Sequence, residues 1–200
     1  MPQTRGRLQL TAALTVMVIV MLASGTTIWH HEHPIFEESL FFVGIALAGF
    51  GAAGRAWTTS FISGNESGQL VTTGPYSLCR NPLFLFSWMI GVGVGFCTET
   101  VTPPIVVGIV LLSLYRVQIK REEAHLSRTF GAAYESYAAT TPRFFPSFRS
   151  YSEPDFIRVS PKAMKKAFLG TGFVLLLIGV IELLEASHQS GLLPALFQLY

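Results

Sequence analysis

The residues able to do chemistry stand in a few short stretches. The run Leu70-Val71-Thr72-Thr73-Gly74-Pro75-Tyr76-Ser77-Leu78-Cys79-Arg80-Asn81-Pro82-Leu83-Phe84 holds a turn signal at Gly74-Pro75. It then gives a helix opening at Asn81-Pro82, with asparagine as N-cap and proline at the first helical position. A helix starting there leaves its first N–H groups unpaired at a membrane surface, and with Arg80 beside them they make a seat for an anion. The same residues also read as a plain cap with an arginine held on the cytoplasmic side. Further on, Glu122 and Glu123 directly follow Lys120 and Arg121, with Arg116 a turn earlier. Pro142-Arg143-Phe144-Phe145-Pro146 looks like a rigid aromatic strap, and an arginine with two aromatics beside a bilayer reads as an interfacial anchor.

Other reactive residue types carry less. His30, His31 and His33 with Glu32 have the side chains of a metal site, but a wet loop with histidines reads more simply as a loop, and no metal is expected. The two cysteines, Cys79 and Cys97, cannot make a disulfide scaffold and are read as small hydrophobes in helix packing.

The elements that must position these groups follow from composition. The 200-residue chain is 50% hydrophobic and only 13% charged, against about 25% charged for a soluble globular domain. Disorder, a coiled coil and a nucleic-acid-binding domain are poor readings, and the net charge of +2 is too small to imply a polyanionic partner. Crossing roughly 30 Å of hydrocarbon takes about 20 apolar residues. Five runs qualify, at about 8–29, 36–57, 83–97, 101–119 and 167–184. The expected fold is therefore an all-α polytopic bundle of five transmembrane helices with a cytoplasmic cap of helix and loop, forming a single domain over residues 1–200. The third run is short and Pro103 and Pro104 open the fourth, so those two should form a tight hairpin. The first run exceeds a signal-peptide core of about 7–15 residues and is read as a retained anchor.

Lysine and arginine orient the bundle. With the N-terminus inside, all 14 basic residues fall on the cytoplasmic side, and the histidine loop, Glu37, Glu38, Glu99, Glu185 and His188 fall outside with the C-terminus. The cytoplasm then receives the polar segments 58–81 and 120–166. In the latter, Leu126, Phe130, Tyr134 and Tyr137 recur at helical spacing, predicting one helix that continues out of the bilayer and stops before Pro142. Gly44, Ala48 and Ala52, and Gly91 with Gly95, make small-residue faces for close helix approach. Gly91, Gly93 and Gly95 lie inside a span, and so do not read as a dinucleotide loop. The apolar tail from Leu192 to Tyr200 is too short to cross.

Taken in order, Gly74-Pro75-Tyr76, Arg80-Asn81-Pro82-Leu83-Phe84, Glu122-Glu123 with Leu126, Phe130-Gly131 with Tyr134 and Tyr137, and Pro142-Arg143 resemble the isoprenylcysteine carboxyl methyltransferase family, with its bacterial phospholipid methyltransferase-like relatives. The resemblance covers about residues 70–146. It implies an integral membrane enzyme that moves a methyl group from S-adenosylmethionine to a lipid-borne acceptor. It further implies that Gln69, Leu70, Val71 and Tyr76 line the cofactor cleft and that Asn81, Pro82, Leu83 and Phe84 hold the methionine end. Glu122 would bind a polar cofactor group, and Arg80 and Glu123 would orient the acceptor as catalytic residues. The chain departs from the family pattern at Asn81, where many members have histidine, and at Phe84, where tyrosine is common. Asparagine donates a hydrogen bond but does not titrate near neutral pH, so no proton transfer is expected there. Gln118 stands where prenylcysteine-methylating members place a substrate arginine, leaving Arg116 or Lys120 to meet the substrate.

A sulfonium cofactor is already activated, so the reaction mainly needs the acceptor held in line. A carboxylate or phosphate needs no general base, whereas an amine does. The acidic residues of the matched cytoplasmic region are Glu122, Glu123 and Glu135, which favours O-methylation of an anionic acceptor paired by Arg80 or Arg116. The rival readings are a membrane reductase akin to sterol reductases and a non-enzymatic lipid-binding scaffold.

Overall fold

The computed structural model describes residues 25–27, 34–63, 68–190, 192 and 197–199. Most of the first predicted span and the His30–His33 loop lie outside these. The described end of that span, Gly25–Thr27, is not helical: it pairs in parallel with Phe197–Leu199 of the C-terminal tail. A glycine followed by two β-branched threonines suits a strand better than a helix.

The rest is helical. α1 spans Pro34–Ser63, α2 Pro75–Leu78, α3 Pro82–Phe96, α4 Thr102–Phe130, α5 Ala132–Thr140 and α6 Pro161–Gln189. Three of these contain stretches long and apolar enough to cross a membrane: Ile35–Ser63, Thr102–Phe130 and Pro161–His188. α3 has 15 residues and rises about 22 Å, short of the hydrocarbon thickness. The described residues thus give three membrane-length helices and a shorter apolar one, and a count of five spans is not shown among them.

α3 is the centre of the bundle, and glycines let both neighbours close on it. A Cβ on Gly93 would sit 2.5 Å from Ala48 N and 2.7 Å from Gly44 O of α1. Gly91 and Gly95 face the other way, towards Leu111 and Pro104 of α4. The small faces thus serve close helix approach, as expected, but against different partners. Gly44 and Ala48 meet Gly93, and the Gly91–Gly95 face receives α4, because residues two apart on a helix point to different sides. α6 closes the other flank, where Ala48, Val94, Cys97, Ile178 and Ile181 form a buried core. Phe42, Phe50, Ile109, Leu175 and Leu183 point outward and exposed, as a bundle solvated by lipid requires.

The hairpin forms as expected. Glu99 takes a positive φ of 54°, Thr98 Oγ1 donates to Gly95 O at 2.8 Å, and Pro103 and Pro104 sit in the first turn of α4, where no N–H is needed. Glu37, expected at the wet outer edge of its span, stands in the first turn of α1 but is only 3% exposed.

Boundaries move where local signals were strong. α6 starts at Pro161 behind Ser160, a helix opening that brings Lys162, Lys165 and Lys166 into the helix. The helix leaving the bilayer is broken in two: Gly131 at φ 51° ends α4 and its N–H returns to Ser127 O at 2.9 Å. This is the left-handed region that favours glycine.

Candidate active site

The site is built on the 68–81 loop, held between the end of α1 and the segment after α5. Gly74 is required twice over: its φ is 60°, and any side chain there would enter the Phe61 ring. From Gly74 the chain runs antiparallel to the strap. Gly74 N donates to Ser152 O at 2.7 Å, Ser147 N to Leu78 O at 2.9 Å, and Arg80 N to Pro142 O at 2.8 Å. Backbone groups that a loop would leave unpaired are satisfied this way, and the strap becomes a lid stitched along the loop.

At its inner end four side chains converge. Asn81 is buried, 5% exposed. It occupies the N-cap position of α3, as its place before Pro82 predicts, but makes no side-chain cap bond. Its Nδ2 instead donates to Glu123 Oε1 at 3.1 Å and to Arg143 O at 2.9 Å. Arg143 meets the same carboxylate at two points, Nε to Oε1 at 3.1 Å and Nη2 to Oε2. Arg80 Nη1 lies 3.7 Å from Glu123 Oε1. A fork of guanidinium donors on a carboxylate fixes geometry as well as charge. Arg143, expected as an interfacial anchor, is thus turned inward onto Glu123, while Phe145 and Phe148 of the strap remain outside, 80% and 77% exposed.

Tyrosines form the next layer. Tyr137 donates its hydroxyl to Tyr76 O at 2.7 Å, tying α5 to α2. Burial pushes the Tyr76 hydroxyl above the usual phenol range, and the nearby Glu122 charge pushes it further. Burial does the same to Tyr137, and it raises the Cys79 thiol to about 11, against the hydrogen bond from the Asn81 backbone. Tyr134 is buried beside Arg80, whose charge opposes the rise that burial and Glu123 cause. The two do not align for a hydrogen bond: Tyr134 Oη and Arg80 Nε are both buried without a partner.

Arg80, Asn81, Pro82 and Glu123 are therefore in one cluster, with Tyr76 and Glu122 on its flank. Phe84 turns its ring to Tyr115 of α4, centroids 5.1 Å apart. Gln69, Leu70 and Val71 line a separate cavity of about 300 Å³ with Phe61 and Phe156. A polar cavity of about 350 Å³ lies on the other side of Thr72 and Thr73, against Ser77, Ser136 and Tyr137. Arg116 is exposed on α4, and among the described residues no hydrogen bond or ion pair joins it to the cluster. It follows Tyr115 and is rotated about 100° from it. Sequence reasoning missed Arg143, Tyr134 and Tyr137 as site residues, although Pro142-Arg143 and the tyrosine spacing were visible in the motifs. Among the described residues, no group of three His, Cys, Asp or Glu side chains is arranged to hold a metal ion.

A short loop, the start of an apolar helix and a carboxylate pair meeting at the end of a membrane bundle define a membrane protein with its polar site at the bilayer edge. Residues 39–133, the stretch from α1 into α5, match the model of the phospholipid methyltransferase family. The resemblance drawn from the motifs is thereby borne out. The nickel-cobalt-cadmium resistance protein NccN of Alcaligenes xylosoxydans xylosoxydans is 29% identical over 191 residues, 96% of this chain and 88% of that protein. The cobalt-zinc-cadmium resistance protein CzcN of Cupriavidus metallidurans is 29% identical over 198 residues, 98% of this chain and 89% of that protein. No solved structure matches the chain.

Proposed function

We propose that this protein is an S-adenosylmethionine-dependent methyltransferase of the membrane, acting on an oxygen of a lipid-borne carboxylate or phosphate. The observation that supports this most directly lies inside the matched domain. The buried Arg80 Nε lacks a partner beside Glu123, and Glu122, about 100° around α4 from Glu123, is near enough for its charge to act on Tyr76.

The cofactor's own groups suit that set. An amino-acid carboxylate fits the unpartnered Arg80 Nε and, in the same cluster, the Tyr134 hydroxyl, and its ammonium or ribose fits Glu122. The bound cofactor supplies a methyl on a cationic sulfur: the acceptor oxygen forms the new C–O bond as the C–S bond breaks and its electron pair returns to sulfur. The chain's task is then positioning and charge. The strap and the Asn81–Glu123–Arg143 lock hold the start of α3 in place, and with it Arg80 where the cofactor's carboxylate would bind. An ionised acceptor arrives without a proton to remove, so no side chain has to act as base.

The arrangement is read as five spans in a bacterial inner membrane, with the N-terminus and this site cytoplasmic and the C-terminus outside. The two relatives are named for metal resistance. Carried to this chain, that role is read through the product: methylating a lipid acid removes a negative charge, and a less negative leaflet gathers fewer divalent cations.

Transfer of labelled methyl from S-adenosylmethionine into a lipid fraction of the native membrane tests the reading. Label that is abolished by Glu122→Ala supports it. Absence of label in every lipid fraction, in protein that is folded, overturns it in favour of a scaffold, and binding of a nicotinamide instead points to a reductase.

A further inference from the structure

α1 carries a single basic residue, Arg55, about two turns before its end at Ser63. A guanidinium within an apolar span is expensive unless something meets it. Arg55 Nη1 donates to Ser87 Oγ of α3 at 3.2 Å. Ser87 gives its own proton to Leu83 O at 2.6 Å, so its oxygen faces Arg55 as a fixed neutral acceptor. From α4, Tyr115 lies within electrostatic reach of Arg55 and Ser87, and its ring packs on Phe84.

The approach is built in. A Cβ on Gly54, next to Arg55, would enter the Phe86 ring, so α1 lies against α3 at this level and the arginine reaches over Ser87. Arg55 itself is exposed, and of its five N–H donors the Ser87 bond takes one. Glu123 is taken by Arg80 and Arg143, and among the described residues no carboxylate pairs with Arg55. Ser87 stands about 7–8 Å along α3 from Pro82, deeper into the bundle than the Asn81–Glu123 cluster, at the level a lipid headgroup reaches when its chains stay in the bilayer.

We infer that Arg55, Ser87 and Tyr115 form the seat for the anionic headgroup of a lipid that enters sideways from the bilayer, its phosphate or carboxylate oxygens meeting the outward donors of Arg55. The inference rests on the methyltransferase reading for that lipid's being the methyl acceptor. The seat itself is an oxyanion site with or without transfer, and it takes the substrate-binding role expected of Arg116.

The full chain in phosphatidylcholine nanodiscs would be titrated with dihexanoyl phosphatidic acid, with decanoate, and with neutral dihexanoyl phosphatidylcholine. Emission from Trp57 and Trp88, which flank the seat in sequence, reports binding, and labelled methyl transfer into the same probes runs in parallel. The wild type should bind one or both acids and not the neutral lipid, and the preferred acid identifies phosphate or carboxylate. Arg55→Gln should weaken that binding about tenfold or more, Arg55→Lys should recover part of it, and Arg116→Gln should leave it unchanged. In the transfer assay Arg55→Gln should raise KM for the acid with kcat nearly kept. Acid binding unchanged by Arg55→Gln overturns the seat, as does failure of the wild type to bind either acid. So does a loss in Arg55→Gln that Arg55→Lys does not recover in any part. Binding lost in Arg55→Gln with no transfer by the wild type supports the seat and sinks the methyltransferase reading. Transfer with an unaltered KM in Arg55→Gln overturns the seat and leaves that reading standing.

Discussion

Glu123 of α4 and Arg143 of the strap meet as a two-point carboxylate–guanidinium pair, with Arg143 Nε 3.1 Å from Glu123 Oε1. The pair is asymmetric in burial: the glutamate side chain is 14% exposed and the arginine 47%. Removing the arginine leaves Glu123 with Asn81 and Arg80, so Arg143→Ala should cost about 1 kcal/mol. Removing the carboxylate leaves Asn81 Nδ2 with Arg143 O alone and takes the ion pair from both arginines, and Glu123→Ala should cost about 2–3 kcal/mol. Denaturant titrations of the two variants check the order. Equal losses would show that the strap, rather than the carboxylate, organises the cluster.

This pair also shows where the sequence stops being legible. Pro82 as the opening of α3 and the hairpin before Pro103 follow from local signals and stand where they were expected. The partner of Glu123 does not, because the register between strap and loop is set by backbone bonds such as Arg80 N to Pro142 O, between residues far apart in the chain. Asn81 shows the subtler failure. Its type and position say N-cap, and it does occupy that position, yet a buried carboxylate and the Arg143 carbonyl outcompete its own helix for the side chain. Gly131 was readable, since a glycine closing a helical run is the ordinary stop signal. The even spacing of Leu126, Phe130, Tyr134 and Tyr137 across it hid the break. Arg55 looked like one more positive-inside residue until the structure placed Ser87 beneath it.

The α1–α3 contact depends on Gly93. A methyl there meets backbone atoms of Gly44 and Ala48 that cannot step aside, so Gly93→Ala should cost about 1–3 kcal/mol as overpacking. Gly179 on α6 has nothing within 4 Å of its would-be Cβ, and Gly179→Ala should be neutral or slightly stabilising. Thermal unfolding in detergent compares them. A harmless Gly93→Ala would mean that the two helices do not approach as closely as described.

Alkaline pH should loosen the loop before it affects the rest. The folded protein holds the Cys79 proton up to about pH 11, whereas an unfolded thiol releases it near about pH 8.5. The raised value contributes stability that is fully present below the unfolded value and is lost as pH climbs through the window between the two. Tyr76 and Tyr137, raised by burial, extend the loss to higher pH with the same sign. The unfolding temperature should fall steadily from about pH 9, and Cys79→Ala should flatten the first part of that fall. Cys79 should also resist maleimide at neutral pH in a Cys97→Ala background. Rapid labelling there would show that the loop opens.

The adjacent glutamates should separate cofactor binding from architecture. Glu123 is engaged by Asn81, Arg80 and Arg143, so changing it to glutamine keeps a hydrogen-bonding oxygen but removes the charge that holds both arginines. Glu122 lies one residue earlier, about 100° around α4, on the Tyr76 side, where a carboxylate can meet an ammonium or a ribose hydroxyl. Glu122→Gln should therefore weaken S-adenosylmethionine about tenfold or more, roughly 1.4 kcal/mol, with the unfolding temperature kept. Glu123→Gln should lower the unfolding temperature and weaken binding only as far as the α3 start loses its place. Calorimetric titration of both variants, each with a melting curve, makes the comparison. If Glu122→Gln binds like the wild type while Glu123→Gln keeps its fold and loses the cofactor, the two roles are reversed, and the Glu123–Arg143 pair must open for the cofactor to enter.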